Sequence, residues 1–276
     1  MLTIALFGAG GNMGTRILSR LRDDADYRML YVEADEARRQ ALREQGLQPT
    51  TAEQAAREAD VAILAVPDRL IGTVAEDIVS ALKSGAMVMC LDAAAPYAGK
   101  LPPREDISYF VTHPTHPPLF AEQPDAEARR DFFGGVAKQS IVCALMQGPE
   151  DDYGKGEQIA RKMFGPILRS HRVTVEQLAL LEPALAETVA ATCITVVREA
   201  MDEALRRGVP EQAARDFLLG HLNIELAILF GECQWQFSAG AQRAVEDAKR
   251  DLFRPDWRKV FDPAQLRKSV LSITEG

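Results

Sequence analysis

The sequence predicts an α/β fold, a doubly wound sheet at the N-terminus followed by an all-helical C-terminal domain. Three observations predict it. A short apolar run meets a glycine cluster and then a helical pattern within the first 21 residues. Strand-like and helix-like segments alternate as far as residue 173, and from Thr174 onward only helical periodicity remains. With 276 residues the chain is long enough for two domains, placed at 1–173 and 174–276.

The opening stretch carries the most information. Thr3-Ile4-Ala5-Leu6-Phe7 leads into Gly8-Ala9-Gly10-Gly11-Asn12-Met13-Gly14, and Ile17, Leu18 and Leu21 begin a helix. Strand, glycine turn and helix in this order make the dinucleotide fingerprint of a Rossmann domain, whose glycines serve a tight turn, close approach of a pyrophosphate and helix packing. The spacing falls on Ala9, Gly11 and Gly14, with alanine in the first place. The amides of Gly10, Gly11, Asn12 and Met13 then face the pyrophosphate at the helix N-terminus, where unpaired N–H groups and the helix dipole favour negative charge. The next apolar run, Met29-Leu30-Tyr31-Val32, ends in Glu33, at about the ~20-residue spacing expected of the acid that binds the adenosine ribose. Its charge repels a 2′-phosphate, which points to NAD over NADP, while Arg38 and Arg39 nearby pull the other way.

The remaining elements follow in order. Glu36 to Gln45 is a charged helix stopped by Gly46, and Thr51 to Ala59 a second short helix. Asp60-Val61-Ala62-Ile63-Leu64-Ala65-Val66-Pro67 reads as a buried parallel strand whose end, Val66, Pro67 and Asp68, lies over the cofactor. A helix from Ile71 to Leu82 and a strand from Gly85 to Asp92 come next, and the small residues Ala93-Ala94-Ala95 leave room for a ligand. The strand Ile107 to Val111 runs into Thr112-His113-Pro114-Thr115-His116-Pro117-Pro118. Two of the four histidines thus stand at a strand's carboxyl end, where open α/β sheets bind ligands. Residues 119–139 form a polar loop and candidate lid, and two more strands, Ser140 to Met146 and Ile167 to Val173, flank a helix from Tyr153 to Phe164. Thr174 to Arg207 is a long helix that Pro183 kinks or divides. Pro210 to Phe230 is too apolar for a face open to water, so its excess is buried against the first domain or another subunit, and a homodimer through the helical domain is expected. The tail around Arg254-Pro255-Asp256-Trp257 reads as short helices.

Bulk properties narrow the function. The formal charge of −8 without a basic run excludes nucleic acid as a partner, and an anionic substrate requires a local basic pocket. No apolar run of membrane-spanning length and no leader before the first strand are seen, so the reading is a cytoplasmic protein with no membrane partner. Cys90, Cys143, Cys193 and Cys233 are far apart in apolar neighbourhoods, as suits free, buried thiols.

With these elements in place, the chain resembles the superfamily of 6-phosphogluconate, 3-hydroxyisobutyrate and prephenate dehydrogenases and ketol-acid reductoisomerases. The matching residues are Gly11-x-Met13-Gly14, the loop Leu64-Ala65-Val66-Pro67, and His113-Pro114, which is similar to the His-Pro pair of prephenate dehydrogenases. It departs from the hydroxyacid dehydrogenases in carrying Ala93 to Ala95 where they have serine or threonine. Their helix lysine is also missing: Leu181-Glu182-Pro183-Ala184-Leu185-Ala186-Glu187-Thr188 stands there instead. That shifts the likeness toward the reductoisomerases, whose helical domain supplies carboxylates to a divalent metal. Taken with the two-histidine loop and His221-Leu222-Asn223-Ile224-Glu225, the motifs are most similar to the family of D-apionate oxidoisomerases.

The resemblance implies NAD-dependent oxidation of an anionic branched hydroxyacid, D-apionate, to 3-oxo-isoapionate with an acyloin rearrangement, assisted by a divalent metal. Such a shift needs a base for a hydroxyl proton and a cation to gather the oxygens. His113 is the candidate base or metal ligand, with hydrogen bonding to its own loop as the ordinary alternative. His116 shares that metal only if the loop geometry allows. Glu187 is the favoured helix carboxylate for catalysis and metal binding, and Glu182 the second, which otherwise caps a helix. Asn223 is the choice among His221, Asn223 and Glu225 to reach substrate. The competing readings are a plain NAD-dependent 2- or 3-hydroxyacid dehydrogenase with His113 as base, and a non-catalytic NAD-binding protein.

Overall fold

The computed structural model describes residues 1–275. Seven strands form one sheet in the order β2-β1-β3-β4-β5-β6-β7: β1 (Leu2–Phe7), β2 (Tyr27–Val32), β3 (Val61–Leu64), β4 (Met87–Cys90), β5 (Ser108–Pro114), β6 (Gln139–Gln147) and β7 (Ile167–Arg172). The first five are mutually parallel, as the doubly wound expectation requires. β6 pairs antiparallel with β5, and β7 is parallel to β6. The reversal follows from the connection after β5, which contains only a 3₁₀ turn at Ala128–Arg130 and no crossover helix. Every residue of β3 and β4 is buried, which is why these strands read as unbroken apolar runs.

Helices α1 (Asn12–Leu21), α2 (Glu36–Glu44), α3 (Ala52–Glu58), α4 (Asp68–Val79), α5 (Ala94–Tyr97) and α6 (Asp151–Phe164) alternate with the strands. Asp35 and Thr51 cap α2 and α3 by accepting from the N–H groups of Arg38 and Gln54. The core joins Ile4 and Leu6 of β1, Ile17 and Leu21 of α1, Ile63, Met89 and Phe110 of the sheet, and Ile159, Met163 and Phe164 of α6.

The long helix is continuous but not uniform. A capping box of Thr174 and Gln177 starts α7 (Val175–Ala179); a π-helix spans Leu180–Ala191; α8 (Thr192–Arg206) completes it. Pro183 has no N–H to give and lies inside the π segment, so the proline widens the helix locally instead of breaking it. This 32-residue helix holds an 18-residue stretch of mean hydropathy 1.5, enough by length and composition to cross a membrane. That corrects the expectation that no such run exists. The stretch is rich in alanine, valine and leucine, and the glutamates at 182 and 187 are too few to break it.

The chain divides into two compact units, Met1–Pro183 with the stretch from Arg267 onward, and Ala184–Leu266. The first break falls ten residues beyond the expected 173/174, because α7 packs against β6 and α5 with Leu178 and Ala179 fully buried. In the second unit α8 packs on α9 (Glu211–Leu229), and α10 (Ala239–Leu252) follows; none of the three contains a buried residue. The tail around residues 254–257 forms a short 3₁₀ helix at Trp257–Phe261, as expected, and the 13-residue α11 (Pro263–Glu275) follows. Cys90 and Cys143 are buried free thiols, whereas Cys193 and Cys233, expected to be buried, are half-exposed because the second unit builds no core of its own.

Candidate active site

The glycine turn follows β1 as expected, with a different register. Gly8, not Ala9, makes the turn: its φ is 82°, in the left-handed region that favours glycine. The Gly11 N–H donates to its carbonyl at 3.0 Å, and a side chain at Gly14 would overlap that same oxygen. The working spacing is therefore Gly8, Gly11 and Gly14. Ala9 is buried in the core, and Gly8 also approaches the Ala65 carbonyl and Val66 too closely to carry a side chain. That places the loop after β3, with Val66 and Pro67, against the turn at the point where strand order reverses.

No side chain caps α1 at Gly11, and its first turn holds no acid. The amides of its opening residues Asn12 and Met13 thus meet the requirement for an anion. Gly10 differs from that expectation: its N–H donates to Glu33 Oε2 at 2.9 Å, while Glu33 Oε1 accepts from Ala34 at 2.9 Å and Asp35 at 3.1 Å. Glu33 is thereby held at the carboxyl end of β2 beside the turn. Arg38 lies along Gly10, whose missing side chain leaves that space.

The second half of the site lies at the ends of β4 and β5. Asp92, His113 and Glu182 bring one ligand atom each to within 4.8 Å of one another. His113 Nδ1 is 2.8 Å from the Leu91 carbonyl, and because a carbonyl only accepts, Nδ1 carries the proton. Nε2 then presents a lone pair, 3.5 Å from Glu182 Oε2, with the side chains 17% and 26% exposed. A lone pair facing a carboxylate, with a second carboxylate beside them, is an acceptor set lacking a donor. A cation would complete it, and the mixed nitrogen and oxygen ligands would suit a divalent metal. Asp92 is tied by the Ala94 N–H, which donates to Oδ1 at 2.6 Å. Its carboxyl is held above the ordinary range by burial, partly opposed by that hydrogen bond and by His113, and Glu182 adds to the rise. Asp68, the first residue of α4, has its carboxyl pushed up to about 6 by burial and by the charge of Asp92, against the pull of His113.

His113 thus stands in a built site, not merely hydrogen-bonded within its loop. The helix carboxylate beside it is Glu182, carried by the π segment, and Glu187 and Asn223 belong to the second unit. Asp92 is a site residue that the sequence reading passed over as a strand terminus. An acid closing a buried strand at the sheet's carboxyl edge was the available signal.

Comparison with known proteins gives matches over nearly the whole chain. Residues 121–274 match the family described as phosphogluconate dehydrogenase (decarboxylating) C-term, and residues 3–95 match NADP oxidoreductase, coenzyme F420-dependent. The chain is 53% identical to a D-apionate oxidoisomerase of Cupriavidus necator over 98% of its length and 99% of that protein's. It is 50% identical to a D-apionate oxidoisomerase of Rhizobium rhizogenes over 99% and 100%. A crystal structure of a semialdehyde dehydrogenase NAD-binding protein from Cupriavidus necator, in complex with calcium and NAD, superposes with a TM-score of 0.96 at 53% identity, covering 99% of this chain and 100% of that one.

Proposed function

The chain belongs to the D-apionate oxidoisomerase family, and on that premise we propose that it is an NAD-dependent oxidoisomerase converting D-apionate to 3-oxo-isoapionate. The observation that carries the reading is the presence, in one unit, of a dinucleotide turn after β1 and a donor-poor acid–histidine trio at the ends of β4 and β5.

NAD, when bound, accepts the hydride from the C2 hydroxyl carbon. The Gly8 turn and the α1 N-terminus hold its pyrophosphate, Glu33 its adenosine ribose, and Val66, Pro67 and Asp68 border the nicotinamide end. Asp92, His113 and Glu182 would hold a divalent cation, which would supply positive charge to the substrate's ketone and alkoxide oxygens. The chain's own residues do the orienting. The Leu91 carbonyl fixes the His113 tautomer, and the Ala94 amide fixes Asp92. The C2 hydroxyl proton leaves to solvent as the hydride departs. The rearrangement then moves a carbon substituent from C3 to the C2 ketone carbon, the C3 hydroxyl becoming the ketone as its proton passes to the C2 oxygen, which becomes a hydroxyl.

The functional assembly we propose is a homodimer through the helical unit, since α9 and the segment after it leave Phe217 69%, Phe230 71% and Trp235 74% exposed within one chain. Four free thiols support a cytoplasmic setting.

The test is NADH formation from D-apionate with and without a chelator, followed by NMR of the product. A rearranged skeleton, with activity lost to chelator, is the expected result. An unrearranged oxo acid would establish a plain dehydrogenase, and no NADH would refute the substrate.

A further inference from the structure

His116 is the one non-glycine residue with a left-handed backbone among the described residues, at φ 59°. Such a conformation costs free energy and persists only where the surroundings impose it. Here they do. The Thr115 N–H donates to the Ser140 carbonyl at 3.0 Å, and the Ser140 N–H donates back to Thr115 Oγ1 at 3.2 Å, anchoring the residue before it. His116 Nδ1 lies 2.9 Å from the Phe133 carbonyl and so carries the ring proton, while its ring packs on Phe133 at 5.2 Å between centroids.

Phe133 is pinned in turn. The Arg16 guanidinium of α1 lies over its ring at 4.8 Å, and Gly134 makes room, since a side chain there would come within 2.7 Å of Arg16 Nη2. The result is a half-buried imidazole set edge-on to the His113 ring, 6.3 Å between centroids and 81° between planes, outside the Asp92–His113–Glu182 trio. Its Nε2 carries a lone pair with no partner among the described residues.

A histidine recruited only for packing does not need a left-handed backbone and two buttresses. Beyond the His113 ring that it faces, His113 Nε2 and the carboxylates of Asp92 and Glu182 are all acceptors. An acceptor-lined space is complementary to a cation and to a ligand rich in hydroxyl donors. We propose that His116 is a substrate-binding residue whose Nε2 accepts a hydrogen bond from a hydroxyl of the polyhydroxy acid. The assignment rests on the function proposed above.

The test uses the full-length enzyme loaded with Ca²⁺ and NADH, the reduced cofactor preventing turnover, and titrates D-apionate calorimetrically. His116→Asn tolerates the left-handed backbone but is too short to reach, and His116→Gly relieves the backbone and removes the ring. Both variants are expected to bind D-apionate about tenfold or more weaker, the cost of an unpaired hydroxyl, with Ca²⁺ and NADH affinities unchanged. Added imidazole should restore part of the affinity of His116→Gly, which a purely structural role would not allow. Unchanged D-apionate affinity in both variants overturns the assignment, as does a tenfold loss of Ca²⁺ affinity, which would make His116 a metal ligand. If the wild-type enzyme does not bind D-apionate, the proposed function falls and this assignment with it.

Discussion

Glu182→Gln probes the acid–histidine trio through a change of sign. In the metal-free protein Asp92 and Glu182 place carboxylate oxygens within 4.8 Å of each other. Two unit charges at that separation repel by ~3.5 kcal/mol at an effective dielectric of about 20. Glu182 is 26% exposed, so screening reduces the net relief to about 1–3 kcal/mol. Neutralising Glu182 should therefore stabilise the chelator-treated protein, raising the melting temperature by about 2–4 °C per kcal/mol for a chain of this size. The opposite holds with metal. Cation at a hundredfold excess over Kd adds about 2.7 kcal/mol to the wild type. The variant, with one carboxylate fewer, should gain little at the same concentration. Melting curves of both proteins in EDTA and across a Ca²⁺ titration decide the matter. A variant that melts below the wild type in EDTA, or gains as much from Ca²⁺, would refute the arrangement.

Asp68 makes the stability of the metal-free protein pH-dependent. Its folded-state pKa, about 6, stands above the ordinary 3.8, so the folded chain binds the proton more tightly and stability rises as pH falls from neutrality through about 6 toward about 4. Two pKa units correspond to ~3 kcal/mol, and partial exposure reduces this to about 1–2 kcal/mol. Asp68→Asn should flatten the rise in a melting series taken in chelator, and an unchanged slope would count against it. The homodimer is tested by Phe217→Asp combined with Phe230→Asp, which should leave a monomer in light scattering at micromolar concentration; a wild-type monomer would end that proposal.

Much of the fold was legible because burial on both faces of a parallel sheet leaves continuous apolar runs, as in β3 and β4, and because Asp35, Thr51 and Thr174 cap helices by local chemistry. The dinucleotide turn was legible in outline. Its register was not, since spacing alone cannot tell that Gly8 holds the positive φ that Ala9 would resist. His113 could be found because β5 ends at the ligand-binding edge. That Glu182 stands beside His113 depends on the helical phase around Pro183, and a π segment shifts that phase where a regular α-helix was assumed. Asp92 was hidden by the small residues after it, and the pairing of His116 with Phe133 spans a loop with no periodicity to read.

The return of the chain to its first unit has a consequence for biosynthesis. Val270 is fully buried and Thr274 nearly so, and Lys100 pairs with Glu275 at 3.1 Å, so the sheet unit is built from segments on both sides of the inserted helical unit. Strands and glycine turn emerge from the ribosome early, but α11, which belongs to the same unit, is translated only after the whole of the inserted helical unit. At about 5–20 residues per second the nascent unit waits several seconds for that helix. Completion of the nucleotide-binding unit therefore waits for the synthesis of α11, whose loss would remove the buried Val270 and Thr274 from that unit.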